Sequence, residues 1–133
     1  MLTSAAPVVL FSAAIPGQGG TDHINEQWQD YWRALFASRD YQPVDCIRPT
    51  IRGHQDVEFW YQQNIIVYCS PEVLLRRPDL APVPEHISLN LVHPTLYQRA
   101  RDRELYFKQA VRMLPTLLVK AISKRLNNVW RLG

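Results

Sequence analysis

The sequence predicts a mixed α/β fold with a partial sheet and a helical C-terminal tail. In chain order the partial sheet consists of one strand of the parallel type and, after a helix, an antiparallel pair of strands. Three observations predict this fold. Residues 8–15 are an uninterrupted apolar run, residues 25–38 carry an apolar stripe at helical spacing, and two later apolar runs are joined by a segment too short for a crossover helix. The composition, 47% hydrophobic and 20% charged over 133 residues, is that of a globular chain.

The first strand is predicted at residues 8–15, VVLFSAAI. A strand that is apolar on both faces is typical of the inside of a parallel sheet covered by helices. Pro16 ends the strand, and Gly17, Gly19 and Gly20 then predict a flexible loop.

A helix is predicted over residues 25–38, with Asn25 or Asp22 as its N-cap and Glu26 in its first turn. Its apolar residues follow the spacing i, i+3, i+4, i+7, i+8, and we expect them to pack in the core. These residues are Trp28, Tyr31, Trp32, Leu35 and Phe36.

Two further strands are predicted at residues 41–47 and 64–69. Their short connection predicts that they are antiparallel. Asp45 and Arg48 are expected to be solvated residues of the second strand.

The rest of the chain is predicted to be helical with a proline-rich connection. A short helix begins with Ser70 as its cap and Pro71 at its first position. A loop at residues 78–86 follows, and then a helical region over residues 94–125 that is interrupted at Pro115. These signals divide the chain into residues 1–70, a connection at 71–93 and a tail at 94–133.

The positive charge of the chain belongs to the tail. Residues 1–100 carry seven Lys/Arg and ten Asp/Glu, which gives a net charge of −3. Residues 101–133 carry eight Lys/Arg and two Asp/Glu, which gives a net charge of +6. Residues 113–126 form a basic amphipathic pattern, which predicts a helix that packs on the domain or a partner, or one that lies on a membrane surface. A nucleic-acid site is not expected, since the tail lacks a known motif and interleaved aromatic residues.

Neither a membrane span nor a metal site is predicted. No stretch of eighteen apolar residues occurs, and the N-terminus lacks a basic region before its apolar run, so we expect a cytoplasmic chain, or one peripheral to the membrane. Cys46 and Cys69 are expected to be buried free thiols. The four histidines show no ligand spacing.

Four segments resemble the C-terminal part of a bacterial class I S-adenosylmethionine (SAM)-dependent methyltransferase domain, of the small methyltransferase-domain family. They are VVLFSAAIP at residues 8–16, HINEQW at 23–28 with Tyr31 and Trp32, YQPVDCIR at 41–48, and VEFWYQQN at 57–64. The resemblance covers about residues 2–69. It implies a partial Rossmann-like sheet, in which the first strand corresponds to the family's fifth strand and the last strand inserts into the sheet.

The resemblance implies a transferase of one-carbon groups with SAM as cofactor, but the sequence departs from the family. The family binds SAM mainly through a glycine-rich loop after its first strand and an acidic residue that ends its second. This sequence has no E/D-x-G-x-G-x-G segment, and its glycine cluster at residues 17–20 follows the strand that corresponds to the fifth. We therefore expect a truncated domain that has no cofactor-binding residues and is inactive alone.

The resemblance also implies a site at residues 15–28, because ligands of open α/β sheets bind outside the carboxyl ends of the strands. His23 is expected to act as a general base toward the methyl acceptor, with Glu26 orienting it from the same helical face. The expected substrate-binding residues are Gly19, Gly20, Asn25 and Trp28. The alternative is a polar helix start capped by Asn25, with Trp28 in the core.

A partial sheet implies partners. The first strand would have a neighbour on each side in a full domain, so one edge is expected to be bare here. We expect it to pair with an N-terminal-half polypeptide or in a homo-oligomer. The remaining alternative is a non-enzymatic module that binds a partner or a membrane surface through the basic tail.

Overall fold

The computed structural model describes residues 2–129, with side chains through residue 124. In chain order its elements are α1 (Leu2–Ala5), β1 (Val8–Phe11), α2 (Gln29–Ala37), β2 (Gln42–Val44), α3 (Arg48–Ile51), α4 (Phe59–Asn64), β3 (Ile66–Cys69), α5 (Pro71–Arg76) and α6 (Pro94–Val129). The chain divides after Leu96 into two compact units. The fold is therefore mixed α/β, with a three-stranded antiparallel sheet and a long C-terminal helix.

The last strand, β3, lies between the other two and is antiparallel to both. The predicted antiparallel pairing of the second and third strands is confirmed, with Val44 opposite Val67. The expected parallel-type strand β1 instead pairs antiparallel with β3, which is its one neighbour among the described residues. It also ends at Phe11 and not at Ile15, because Phe11 is opposite Ile66, where β3 begins.

One face of the sheet packs against α2. The Phe36 ring stacks on Tyr68 with centroids 3.9 Å apart and planes 10° from parallel, and Phe11 meets the Phe36 and Trp32 rings edge-on or tilted. Rings in these arrangements add to the stability gained by burying their area. This cluster forms the main core, together with Val9, Tyr41, Ile66 and Leu89.

The opposite face is only partly covered. Val44, Val67 and Cys69 are buried there against side chains of α5, against Leu80 in the connection after it and against Ile47 after β2. On β1 the same face carries Val8 and Leu10, which are 44% and 59% exposed. The prediction that β1 is apolar on both faces is correct, but the helical cover expected for its second face does not lie over Val8 and Leu10.

The helix predicted over residues 25–38 begins later, at Gln29, with Trp28 at its N-cap position. Neither Asn25 nor Asp22 caps it, and Glu26 lies outside its first turn. The backbone of the preceding segment bonds elsewhere, since the Gln27 N–H donates to the carbonyl oxygen of Ala14. Of the predicted core stripe Phe36 is buried and Trp32 half-buried, whereas the other members are substantially exposed: Trp28, Tyr31 and Leu35.

Two residues near the end of β2 differ from the predictions. Arg48 is buried, not solvated, and its guanidinium donates to both carboxylate oxygens of Asp45 and to the carbonyl oxygens of Gln63 and Leu89. A guanidinium tolerates burial when its donors are satisfied in this way. Cys69 is a buried free thiol as predicted, but Cys46 is exposed.

The segment after β3 lies across the sheet. Helix α5 begins with Ser70 at the N-cap position and Pro71 at its first residue, as predicted. In the following connection the Val83 N–H donates to the carbonyl oxygen of Pro43, and Leu89 is buried in the main core. The proline-rich connection is therefore part of the packed unit.

Helix α6 runs from Pro94 to Val129 with Pro115 inside it, so the predicted interruption at Pro115 is absent. A proline removes one hydrogen bond of the helix, and a long helix can continue past it. Every side chain from Tyr97 to Lys124 is exposed. The predicted tail pattern also includes Arg125 and Leu126, whose side chains lie outside the described part, as do residues 130–133 altogether.

None of the helices in the described range 2–129 is both long enough and apolar enough to cross a membrane.

Candidate functional site in the loop after the first strand

The loop at residues 15–28 follows the carboxyl end of β1 and is closed at its base. The Gln27 N–H donates to the carbonyl oxygen of Ala14 at 3.1 Å, and the Gln18 N–H donates to that of Ile15 at 3.0 Å. The Ile15 side chain is 1% exposed and anchors the start of the loop in the interior. The result is a compact surface loop whose ends are close together, a type that is frequently functional.

The Glu26 carboxylate organises this loop. Its Oε2 accepts the Gly17 N–H at 2.8 Å, and its Oε1 accepts the Gly19 N–H at 3.1 Å. The same Oε1 lies 3.3 Å from Nδ1 of His23. The Gly17 hydrogen bond, with smaller contributions from His23 and Gly19, holds the pKa of Glu26 below its ordinary value.

The predicted partners His23 and Glu26 thus meet, but in a loop and not on a helical face. Two predicted substrate-binding residues, Gly19 and Gly20, shape their surroundings. Both have positive φ angles, 70° and 143°, which favour glycine. A Cβ atom on Gly20 would lie 2.5 Å from Cε1 of His23, so only a glycine lets this ring pack against the backbone.

The other two predicted site residues stand apart from the His23–Glu26 pair. The side-chain Oδ1 of Asn25 accepts a hydrogen bond from Nε2 of Gln27, and Trp28 is 41% exposed at the start of α2. In the described part of the chain no hydrogen bond joins either residue to His23 or Glu26. Ile24, at the tip of the loop, is 98% exposed and presents an apolar side chain beside His23.

A cluster of amide side chains, all buried except the half-buried Gln18, fixes the loop to the sheet and was not predicted from the sequence. We call it the amide cluster, and its members are Gln18, Gln29, Gln63 and Asn64. The side-chain Oε1 of Gln18 accepts hydrogen bonds from Nε2 of Gln63 at 3.0 Å and from Nδ2 of Asn64 at 2.8 Å. Gln63 is 0% exposed and Asn64 is 4% exposed, directly before β3. A satisfied buried network of this kind holds its segments in one arrangement.

The amide cluster also holds the connection before α6. The side-chain Oε1 of Gln63 accepts the His93 N–H at 2.7 Å, while Gln29 exchanges hydrogen bonds with the backbone of Leu91. One signal could have revealed the cluster, namely three consecutive amide residues, at 62–64, next to an apolar strand. Amides in that position must be satisfied internally once the strand is buried.

An open groove of about 1030 Å³ lies elsewhere, between α2 and the proline-rich connection. Its lining includes Asp30, Arg33, Tyr41 and His86, and it contains none of the predicted site residues. Across residues 2–129, no three His, Cys, Asp or Glu side chains come together in an arrangement that could hold a metal ion.

The loop does not fit SAM as a cofactor cradle. A nucleotide loop binds its ligand with free backbone N–H groups, and here those of Gly17 and Gly19 both donate to Glu26. These N–H groups of the glycine cluster already bind the Glu26 carboxylate, and we therefore assign no cofactor-binding residue within the cluster.

The chain matches no protein-family model, no curated protein and no solved structure.

Proposed function

We propose that residues 2–70 are the C-terminal part of a class I SAM-dependent methyltransferase domain, which acts when another polypeptide segment supplies the SAM-binding part. The observation that carries the proposal is the strand order β1-β3-β2, with the last strand inserted between the other two and antiparallel to both. The resemblance implies a last strand that inserts into the sheet and is antiparallel to the strand before it, and the position of β3 beside β2 supports the proposal in that respect.

The edge of β1 that faces away from β3 has no neighbouring strand among the described residues, and this supports pairing with another polypeptide segment. The Ser70 N–H donates to the carbonyl oxygen of Pro7, so these two residues form a hydrogen-bonded pair of the antiparallel ladder. Because hydrogen-bonded and non-hydrogen-bonded pairs alternate along such a ladder, the next hydrogen-bonded pairs are Val9 with Tyr68 and Phe11 with Ile66. The backbone groups of Val8 and Leu10 therefore point away from β3. An edge of this kind, beside exposed apolar side chains, is a template for an added strand.

The loop at residues 15–28 would then face the methyl acceptor. Nδ1 of His23 lies 3.3 Å from Oε1 of Glu26, so the carboxylate can hold the ring in one orientation. In this proposal His23 removes the proton of the acceptor as a general base, and Glu26 is a positioning residue. The acceptor in this proposal is a group that must lose a proton as it is methylated.

The experiment measures retention of the tagged chain on a resin carrying S-adenosylhomocysteine, the product form of the cofactor. The purified chain alone is expected to show no binding in a calorimetric titration, and the same chain in a lysate of its source cells is expected to be retained. In the retained complex, His23→Ala should lower methyl transfer roughly a hundredfold without causing release. A folded chain that gains no retention in the lysate would contradict the proposal, as would tight binding by the purified chain.

A matched pair of variants tests the β1 edge. Leu10→Pro removes an N–H that points away from β3, whereas Leu10→Thr keeps that N–H and a residue suited to strands. Retention should be lost in the first variant and kept in the second, with both still folded by circular dichroism. Equal retention of the two would exclude pairing along β1.

A further inference from the structure

Helix α6 exposes a continuous apolar surface. Between residues 107 and 122, large apolar side chains recur three and four residues apart and so share one side of the helix. We call this set the α6 stripe, and its members are Phe107, Val111, Leu114, Leu117, Leu118 and Ile122. All are at least half exposed, from 50% at Leu114 to 70% at Phe107. An apolar stripe of this length in water favours a partner that removes it from solvent.

The charges on the same helix point to the partner. Residues 105–133 contain six Lys/Arg and no Asp/Glu. Arg112, Lys120 and Lys124 are exposed and lie beside or opposite the α6 stripe, whereas Lys108 is paired with Glu104 at 2.5 Å. Outside the stripe the helix carries these basic residues together with exposed apolar side chains such as Met113 and Val119. A helix that combines an apolar stripe with basic residues matches an anionic interface that is apolar beneath its charged layer.

We propose that α6 binds an anionic lipid surface. The α6 stripe enters the boundary between headgroups and acyl chains, and Arg112, Lys120 and Lys124 remain level with the anionic headgroups. Long basic side chains reach that level because their aliphatic stems can extend along the apolar layer. The proposal is independent of the methyltransferase proposal, which rests on residues 2–70.

Two other partners are less compatible with these charges. Pairing of α6 with a second copy of itself would cover the stripe, but it would bring together two segments that carry only positive formal charge. Binding to nucleic acid would use the basic residues and leave the α6 stripe in water. A lipid surface that carries negative charge would cover the α6 stripe and would also attract the basic residues of α6.

The experiment is flotation of the full chain with vesicles of two compositions. One is phosphatidylcholine alone, and the other is about two parts phosphatidylcholine to one part phosphatidylglycerol. Binding is expected only to the second, and it should weaken as salt is raised, because salt screens the attraction. Absence of binding to the anionic vesicles would overturn the proposal.

A matched pair of variants tests the stripe. Leu114 lies in the α6 stripe, and Leu105, nine residues earlier, is on the opposite side of the helix with a similar exposure, 46% against 50%. Leu114→Gln should weaken vesicle binding roughly tenfold, and Leu105→Gln should leave it unchanged. Glutamine is a good helix former, and circular dichroism checks that the helix persists. Equal effects of the two changes would contradict the assignment of the stripe.

A second pair of variants distinguishes the effect of the charges on α6 from the effect of the net charge of the chain. Replacing Arg112, Lys120 and Lys124 by Gln should weaken binding about a hundredfold, since each basic residue near the surface contributes about fivefold. Replacing the exposed Arg39, Arg52 and Arg76 by Gln alters the net charge equally and should have little effect. The proposal would be overturned if the chain self-associated or bound a DNA duplex and did not bind the anionic vesicles.

Discussion

At the scale of single residues, two buried tyrosines of the core differ in what their hydroxyl groups contact. The Tyr41 hydroxyl is shared between the carbonyl oxygens of Thr3 and Ala6, at 2.9 and 2.8 Å, and so ties the N-terminal segment to the sheet. The Tyr68 hydroxyl is buried and has no hydrogen-bond partner among the described residues. Burial raises the pKa of Tyr68, so this hydroxyl stays neutral.

This difference predicts opposite effects of the same substitution. Tyr68→Phe should leave the free energy of unfolding unchanged or raise it by up to about 1 kcal/mol, because it removes a buried polar group that is unsatisfied. Tyr41→Phe should lower it by about 1 kcal/mol, because two carbonyl oxygens lose their donor. Urea unfolding of both variants measures the difference. A larger loss in Tyr68→Phe than in Tyr41→Phe would show that the Tyr68 hydroxyl has a partner.

At the scale of elements, the loop at residues 15–28 depends on one carboxylate, and its order should therefore depend on pH. The pKa of Glu26 is lower in the folded chain than its ordinary value, with the Gly17 N–H as the main cause. The unfolded chain therefore takes up a proton at higher pH than the folded chain does. The stabilisation from these bonds is complete above the ordinary pKa of a glutamate and is lost as the pH falls through the lowered one.

Glu26→Gln is accordingly expected to loosen the loop while the sheet remains intact. Amide hydrogen exchange at Gly17 and Gly19 should accelerate roughly tenfold at neutral pH, since their acceptor loses its charge. In the unmodified chain the same acceleration should appear as the pH falls, after correction for intrinsic exchange rates. Glu72→Gln is the control, because that carboxylate forms only an exposed pair with Arg76. Unchanged exchange in Glu26→Gln would mean that other contacts order the loop.

At the scale of the whole molecule, the buried side chains all belong to one of the two units. Within the described side chains, every buried residue lies at or before Leu96, and the helix beyond it is exposed throughout. The amide cluster and Leu89 close the first unit at its C-terminal side. The first unit thus has a core of its own, and Leu96 is the one described side chain of α6 that is buried in it.

A chain that ends after residue 100 is therefore expected to keep the fold of residues 2–96. Its thermal unfolding midpoint should lie within about 3 °C of that of the full chain, because none of the side chains described between residues 101 and 124 is buried. Ending the chain after residue 88 instead removes Leu89, which is 2% exposed, and should prevent cooperative unfolding. Differential scanning calorimetry of the two shortened chains distinguishes these outcomes. A large loss of stability on removal of α6 alone would contradict the independence of the first unit.

Much of the fold was predictable because it follows from local pattern. The apolar runs located all three strands, the short connection predicted the antiparallel pair, and Ser70 with Pro71 located the start of α5. The long C-terminal helix follows from helical spacing over many residues. In each case the deciding information lies within a few residues of the element.

The candidate site was predictable only in part. The sequence brought His23 and Glu26 together by their spacing, and the contact exists at 3.3 Å. It did not reveal Gly17 as the main partner of Glu26, nor the amide cluster that joins Gln18 to Gln63 across 45 positions. Bonds between distant segments leave no local pattern, and for this reason the sequence predicts residues 25–28 as the first turn of a helix when they belong to the loop.

The sequence by itself determined the strands, the helical tail and its charge, since these depend on periodicity and composition. Only the tertiary structure decided that α2 begins at Gln29, that Arg48 is buried and that β1 pairs with β3 alone among the described residues. The physical reason is the same for all three. Each depends on which distant groups satisfy a backbone or side-chain hydrogen bond, and that choice is made when the segments pack and not along the chain.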